Sequence, residues 1–192
     1  IRWQIIGTGQ TGKIKMRYAI VPNETKVGIV KAVHDGDSIK VKFDDGEVSW
    51  IRLYGCDAPE VVSNHVSTTQ PYGVESGNFL RDLVKGWPVT VHTLFRDQYQ
   101  RMICKVEFEI PSEEDNSVIV DLSVHLIENG MAWWLSEPSQ TQEDLDFLKS
   151  VHDFAKQGKI GLWGHDGRKL RPSTWRSRNR RPAGFVNDPE LW

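Results

Sequence analysis

A chain of 192 residues, 39% hydrophobic and 26% charged, has the makeup of a folded aqueous domain with a real core rather than a disordered or collagenous segment. No apolar run approaches the roughly 18 residues of a membrane-spanning helix, and two cysteines, Cys56 and Cys104, are too few for a disulfide scaffold. The net charge of −2 conceals an asymmetry: seven basic and no acidic residues lie between Arg168 and Arg181, leaving 17 basic against 26 acidic residues elsewhere, a net of −9. An acidic body with a basic end is compatible with a polyanionic partner and equally with a solvated charged tail. The chain begins at Ile1 without a signal-peptide pattern, which leaves room for an upstream segment and leaves the compartment open.

In chain order, residues 1–25 read as an N-terminal extension with room for one strand. From Lys26 to Phe108 the pattern is mostly of strands. Ile39, Val41 and Phe43 alternate with Lys40 and Lys42; Asp44-Asp45-Gly46 supplies turn chemistry; Val48 to Tyr54 returns as the second arm of a hairpin. The polar stretch Val61 to Gln70 has no clear period and is expected to be exposed and mobile. Tyr72 to Lys85 carries Phe79, Leu80, Leu83 and Val84 at helical spacing, with Gly86 to end it. Val89 to Phe95 is a further strand. In the next, Met102, Cys104, Val106 and Phe108 face the core, opposite a row of Ile103, Lys105 and Glu107.

Asp121 is a candidate N-cap for a short helix stopped by Gly130. A third helix runs from about Gln142 to Gln157, capped by Ser139 or Thr141, with Glu143 and Asp144 in its first turn and Gly158 at its end. Strands first, helices inserted and appended, defines a mainly β member of the α+β class: a small barrel with three helices packed on it, over residues 26–167. Residues 168–192 read as a basic, flexible tail.

Two clusters of ionisable residues stand out. One is Asp35-Gly36-Asp37-Ser38 followed by Arg52-Leu53-Tyr54-Gly55-Cys56-Asp57-Ala58-Pro59-Glu60; the other is Asp97-Gln98-Tyr99-Gln100-Arg101. Several carboxylates beside two arginines suit a hard divalent cation held against a phosphate, with oxygen ligands for the metal and guanidinium forks for the anion. Negative charge growing on phosphoryl oxygens during in-line attack by water is met by a cation and by arginines that keep their proton.

These segments, with Gln70-Pro71-Tyr72-Gly73 and Gly161-Leu162-Trp163, occur in an order and spacing that resembles the staphylococcal nuclease (thermonuclease) family over roughly residues 26–165. The resemblance implies an OB-type five-stranded barrel with three helices and calcium-dependent cleavage of DNA or RNA, single strands preferred, by a monomer. Carried over residue by residue, it makes Asp37, Asp57 and the backbone carbonyl of Ala58 the calcium ligands. Arg52 and Arg101 would contact the scissile phosphate, Glu60 would be the general base, and Tyr99 would lie beside phosphate or base. Two positions depart from the family pattern: Gln100 stands where the family has glycine, and Ser38 replaces threonine but keeps the hydroxyl.

Each residue also has a plainer reading. Asp35 suits an Asx-type turn, with support of the metal ligands from behind as the sharper role. Arg52 and Arg101 could cover apolar surface with their stems. His34 lacks a second histidine at zinc-ligand spacing, Trp133-Trp134 suit packing better than base stacking, and Cys56 suits buried filling better than reactivity. A non-catalytic nucleic-acid or protein-binding module on the same barrel is the alternative function. The filling of all five acidic and arginine positions favours the enzyme.

Overall fold

In the computed structural model, which describes residues 14–15, 24–97, 101–110, 117–167 and 169–182, the period-two pattern becomes a three-stranded meander: β2 (Glu24–Asp35), β3 (Ser38–Phe43) and β4 (Val48–Leu53), after a two-residue β1 (Ile14–Lys15). Val30 pairs with Val41, Val33 with Ile39, and Ile39 with Ile51. The branched side chains thereby stack on one face, where Val30, Ile39, Val41 and Ile51 lose essentially all solvent contact. Two further long strands, β6 (Pro88–Arg96) and β7 (Met102–Ile110), follow a two-residue β5 (Cys56–Asp57) and the helix α1 (Gly73–Val84).

β7 pairs in parallel with β4 and antiparallel with β6, and β6 pairs with β2. The five strands therefore close in the order β2-β3-β4-β7-β6, an OB-type barrel without free edges among them. A short β8 (Val118–Asp121) extends the sheet beyond β7 and is itself paired by β1. The chain then forms α2 (Leu122–Glu128), β9 (Trp133–Trp134), α3 (Gln142–Gln157), a 3-10 turn (Gly161–Trp163) and α4 (Pro172–Arg178).

The caps follow the sequence. Asp121 accepts bonds from the N–H groups of Ser123 (2.8 Å) and Val124 (3.1 Å) at the start of α2. Thr141, rather than Ser139, caps α3 in a reciprocal box with Asp144. One core unites the barrel interior with Leu80 and Val84 of α1, Leu122, Leu126 and Ile127 of α2, and Leu148 and Val151 of α3.

Three expectations differ from the structure. Both rows of β7 are buried, because Lys105 and Glu107 are paired: Lys105 Nζ lies 3.3 Å from Glu107 and 3.8 Å from Asp121, and His92 Nε2 lies 3.2 Å from Glu107. A fourth helix occupies part of the segment expected to be a flexible tail. The stretch Val61 to Gln70, expected to be exposed and mobile, buries Ser63, Val66 and Gln70 beneath that same segment. Its polarity hid this packing, because the stabilising contacts are hydrogen bonds to backbone carbonyls and carry no apolar period.

Candidate functional site

The acidic cluster is built at one end of the barrel where three turns meet. Asp35 pairs with Ser38 across the β2–β3 turn, and its carboxylate accepts the Asp37 N–H at 3.1 Å in an Asx-type bond. Gly36 is required there: a Cβ would stand 1.9 Å from Ser76 Oγ of α1 and 2.7 Å from the Ala58 Cβ. The turn thus lies directly on α1 and on the β5 segment, and Asp37 is pushed into the site. Its Oδ2 accepts the Ala58 N–H (2.9 Å), and its Oδ1 accepts the Ser38 hydroxyl (3.1 Å).

Ser38 pairs with Arg52 across β3 and β4, so the arginine arrives on the same end. Arg52 Nη2 donates to Asp57 Oδ1 at 2.8 Å, and to Asp37 Oδ2 and the Cys56 carbonyl at 3.4 Å; Nη1 lies 3.9 Å from Glu137. The Asp37 charge, against the opposing pull of burial and with Asp57 beside it, raises the Arg52 pKa above its ordinary value. Asp57 itself is fixed by antiparallel pairing of β5 with β9, Asp57 opposite Trp133. Trp133 is therefore a packing residue that positions a carboxylate; its ring meets Trp163 edge-on at 5.2 Å.

Glu60 follows through Pro59. Its backbone is clamped by Gln70, whose side chain accepts the Glu60 N–H (3.2 Å) and whose N–H donates to the Glu60 carbonyl (2.8 Å). Burial pushes its carboxyl up to about 7, the nearby Arg176 charge opposing the shift. Asp35 is raised further, to about 8, by burial and by the Asp37 charge. A carboxyl near 7 is poised to gain and lose a proton at neutral pH, as a general base must.

Arg176 and Glu137 complete the cluster, and the sequence reading missed both. Arg176 of α4 donates through Nη1 to Asp57 Oδ1 (3.1 Å) and to Glu60 Oε1, and Nη2 lies 3.4 Å from Asp57 Oδ2. It reaches them because residues 169–182 form a strap bonded to loop 61–70. The Leu170 carbonyl accepts from Gln70 Nε2 (2.7 Å), Trp175 Nε1 donates to the Thr68 carbonyl (2.8 Å), Ser67 N–H donates to the Asn179 carbonyl (2.8 Å), and Arg181 N–H donates to the His65 carbonyl (3.0 Å). Arg171-Pro172, with proline in the first helical turn, is the sequence signal that could have announced α4. Nothing in the spacing places Arg176 on the carboxylates.

Asp37, Arg52, Asp57 and Glu60 are thus brought into one cluster. What the structure shows of Ala58 there is its N–H on Asp37. Arg101 sits one residue ahead of β7, whose Ile103 lies opposite Arg52; its side chain donates to Asp97 at 2.8 Å, and the Asp97 N–H returns a bond to the Arg101 carbonyl (3.1 Å). Tyr99 and the departure at Gln100 lie outside the described residues. Cys56 and Cys104 are free and buried, their thiols raised by burial, Cys104 to about 12.

Among the described residues, no three His, Cys, Asp or Glu side chains converge as a ready metal cage. Two buried carboxylates sharing the Arg52 guanidinium, beside the Ala58 backbone, still offer the oxygen ligands a hard ion takes. Arg176 pairs with both Asp57 and Glu60, so the cluster already holds a second positive charge beside Arg52.

A closed five-stranded OB-type barrel with helices packed on it is the architecture of a known group of proteins. The chain belongs to the family of staphylococcal nuclease homologues, whose family model matches residues 50–165. It is 34% identical over 151 residues to a protein of Escherichia coli O157:H7 named an uncharacterized endonuclease, covering 79% of this chain and 85% of that one. It is 33% identical over 130 residues to a probable endonuclease of Komagataella phaffii (66% of this chain, 53% of the relative). An endonuclease of Saprolegnia parasitica is 25% identical over 166 residues, 79% of this chain and 75% of that one.

Proposed function

We propose that this chain is a calcium-dependent phosphodiesterase that hydrolyses DNA or RNA, single strands preferred, acting as a monomer through its barrel of residues 26–167. The observation that carries the reading is the convergence of buried Asp37 and Asp57 on Arg52, with Glu60 alongside. Relatives that span most of the chain and are named endonucleases support it.

Asp37 and Asp57, with the Ala58 carbonyl, would hold the calcium, which supplies Lewis-acid stabilisation of a phosphoryl oxygen when bound. Arg52 already lies between the two acids and can turn its Nη1 edge from Glu137, 3.9 Å away, to a phosphate, where its fork meets charge as it develops. Glu60, with its carboxyl near 7, takes the proton of the attacking water. Its backbone clamp by Gln70 fixes where that carboxylate stands. Arg101, at the neighbouring strand end, supplies a second guanidinium on leaving Asp97, and Tyr99 flanks the bound nucleotide. Asp35 holds the turn that presents Asp37.

Hydrolysis of denatured DNA and of RNA in calcium, then in excess chelator, tests this. Cleavage that chelator abolishes is expected. Binding without cleavage would refute the enzyme and favour a non-catalytic binding module on the same barrel.

A further inference from the structure

A buried carboxylate needs a counter-charge or loses its own. In this chain that charge comes from far along the sequence: Arg176 lies 119 residues after Asp57 and 116 after Glu60. The contact is built rather than casual. Strap and loop 61–70 are joined by the backbone and side-chain bonds described above, and Val66 and Arg180 pair as an isolated antiparallel bridge. Arg171 adds a bond to the Trp134 carbonyl (3.4 Å) with its guanidinium over the Trp134 ring at 5.8 Å. Both ends of α4 are therefore tied to the elements that carry Asp57 and Glu60.

A guanidinium has donors only, and here they are directed at oxygens of Asp57 that a divalent cation would also require. Two cations cannot share them without repulsion. We propose that Arg176 is the removable one of two resident cations, with Arg52 the other, and that a divalent ion gains access to Asp57 Oδ2 only as the strap withdraws this side chain. The strap thereby sets the metal affinity. Arg176 is a positioning residue that acts through the carboxylates, and at 40% side-chain exposure it has open solvent into which to swing. This inference rests on the calcium reading above.

The competition follows population-shift arithmetic: the apparent metal dissociation constant is the intrinsic one divided by the fraction of molecules with Arg176 withdrawn. Calcium titration by calorimetry on the full chain, at fixed ionic strength, reads this without any turnover. Arg176→Gln is expected to tighten calcium by about tenfold or more. Arg176→Lys, which keeps the charge and loses the fork, is expected to fall between Arg176→Gln and wild type. Trp175→Phe leaves Arg176 in place but removes the strap's bond to Thr68, and is expected to shift affinity in the same direction by a smaller factor. Thermal unfolding of each variant establishes that it is folded. Equal or weaker calcium binding in Arg176→Gln and Trp175→Phe would overturn the inference while leaving the calcium assignment standing. No binding at millimolar calcium in wild type and variants alike would overturn the calcium assignment and the inference with it.

Discussion

Replacing Arg52 separates its two roles, because the structure gives each a different magnitude. The side chain is 13% exposed and the two carboxylates it joins are 8% (Asp37) and 4% (Asp57) exposed, so the pairs are little screened by solvent. Breaking a buried pair by removing one partner typically costs about 3 to 5 kcal/mol. Arg52→Gln is expected near the lower end, about 3 kcal/mol, because Arg176 still serves Asp57 while Asp37 keeps only the Ala58 N–H and the Ser38 hydroxyl. Arg52→Lys retains the charge but reaches fewer acceptors, and is expected to cost about 1 to 2 kcal/mol, one or two charge-assisted bonds. Catalysis is more demanding: loss of one preorganised donor to a developing oxyanion lowers turnover by about 10²-fold or more, near 2.7 kcal/mol. Urea unfolding followed by circular dichroism gives the first quantity, and single-turnover cleavage of a short oligonucleotide at saturating calcium gives the second. A stability loss under about 1 kcal/mol in Arg52→Gln would show that the carboxylates do not depend on this arginine. A rate loss under about threefold in Arg52→Lys would show that the fork does not meet the phosphate.

Other substitutions test neighbouring claims. Asp57→Asn keeps the shape but removes one charge, so calcium titration should show affinity lower by at least about tenfold, the fold remaining intact by circular dichroism. Gly36→Ala places a methyl 1.9 Å from Ser76 Oγ and should destabilise by about 1 to 3 kcal/mol in urea unfolding, with calcium binding weakened alongside as the turn shifts Asp37. Cys56 and Cys104, buried with raised thiol pKa values, should resist a disulfide reagent at pH 8 in the native protein and react in denaturant. His125 packs between Phe79 and Phe108, and burial lowers its pKa, so the unfolded chain takes up its proton first and stability falls as pH drops below about 6.5. His125→Phe should flatten the slope between pH 7 and 5 relative to wild type; an unchanged slope would refute the assignment.

The barrel was legible because its strands announce themselves twice, by apolar alternation and by turn chemistry between them. Ile39, Val41 and Phe43 with Asp44-Asp45-Gly46 carry both signals, and Asp121 and Thr141 carry the start signals of α2 and α3. The convergence of Asp37, Arg52, Asp57 and Glu60 was legible through motif order, and the register Ser38 opposite Arg52 is its physical basis. What stayed hidden depends on contacts with no periodicity. Lys105 and Glu107 read as a solvent-facing row, yet mutual pairing allows them inside. Loop 61–70 reads as free polar chain, yet its carbonyls and Gln70 receive the strap. Arg176 is one basic residue among seven, and composition gives no means of choosing it.

Burying Asp37 and Asp57 beside a half-buried Glu60 sets like charges together in a poorly solvating place, and the chain offsets that repulsion by its own means. It does so with two guanidiniums from distant parts of the sequence, Arg52 from inside the barrel and Arg176 from beyond it. The backbone of Arg52 is fixed by strand register, and its guanidinium, 13% exposed, stays among Asp37 and Asp57. Arg176 rides on a seven-residue helix held by side-chain and loop hydrogen bonds, some of them exposed, rather than by a barrel ladder, and so is the more easily displaced of the two. If a divalent ion competes with Arg176 as proposed, the stability of the strap and the affinity for that ion are linked quantities: a bond that seats Arg176 more firmly would weaken the ion's binding, and the bound ion would loosen the strap by the same free energy.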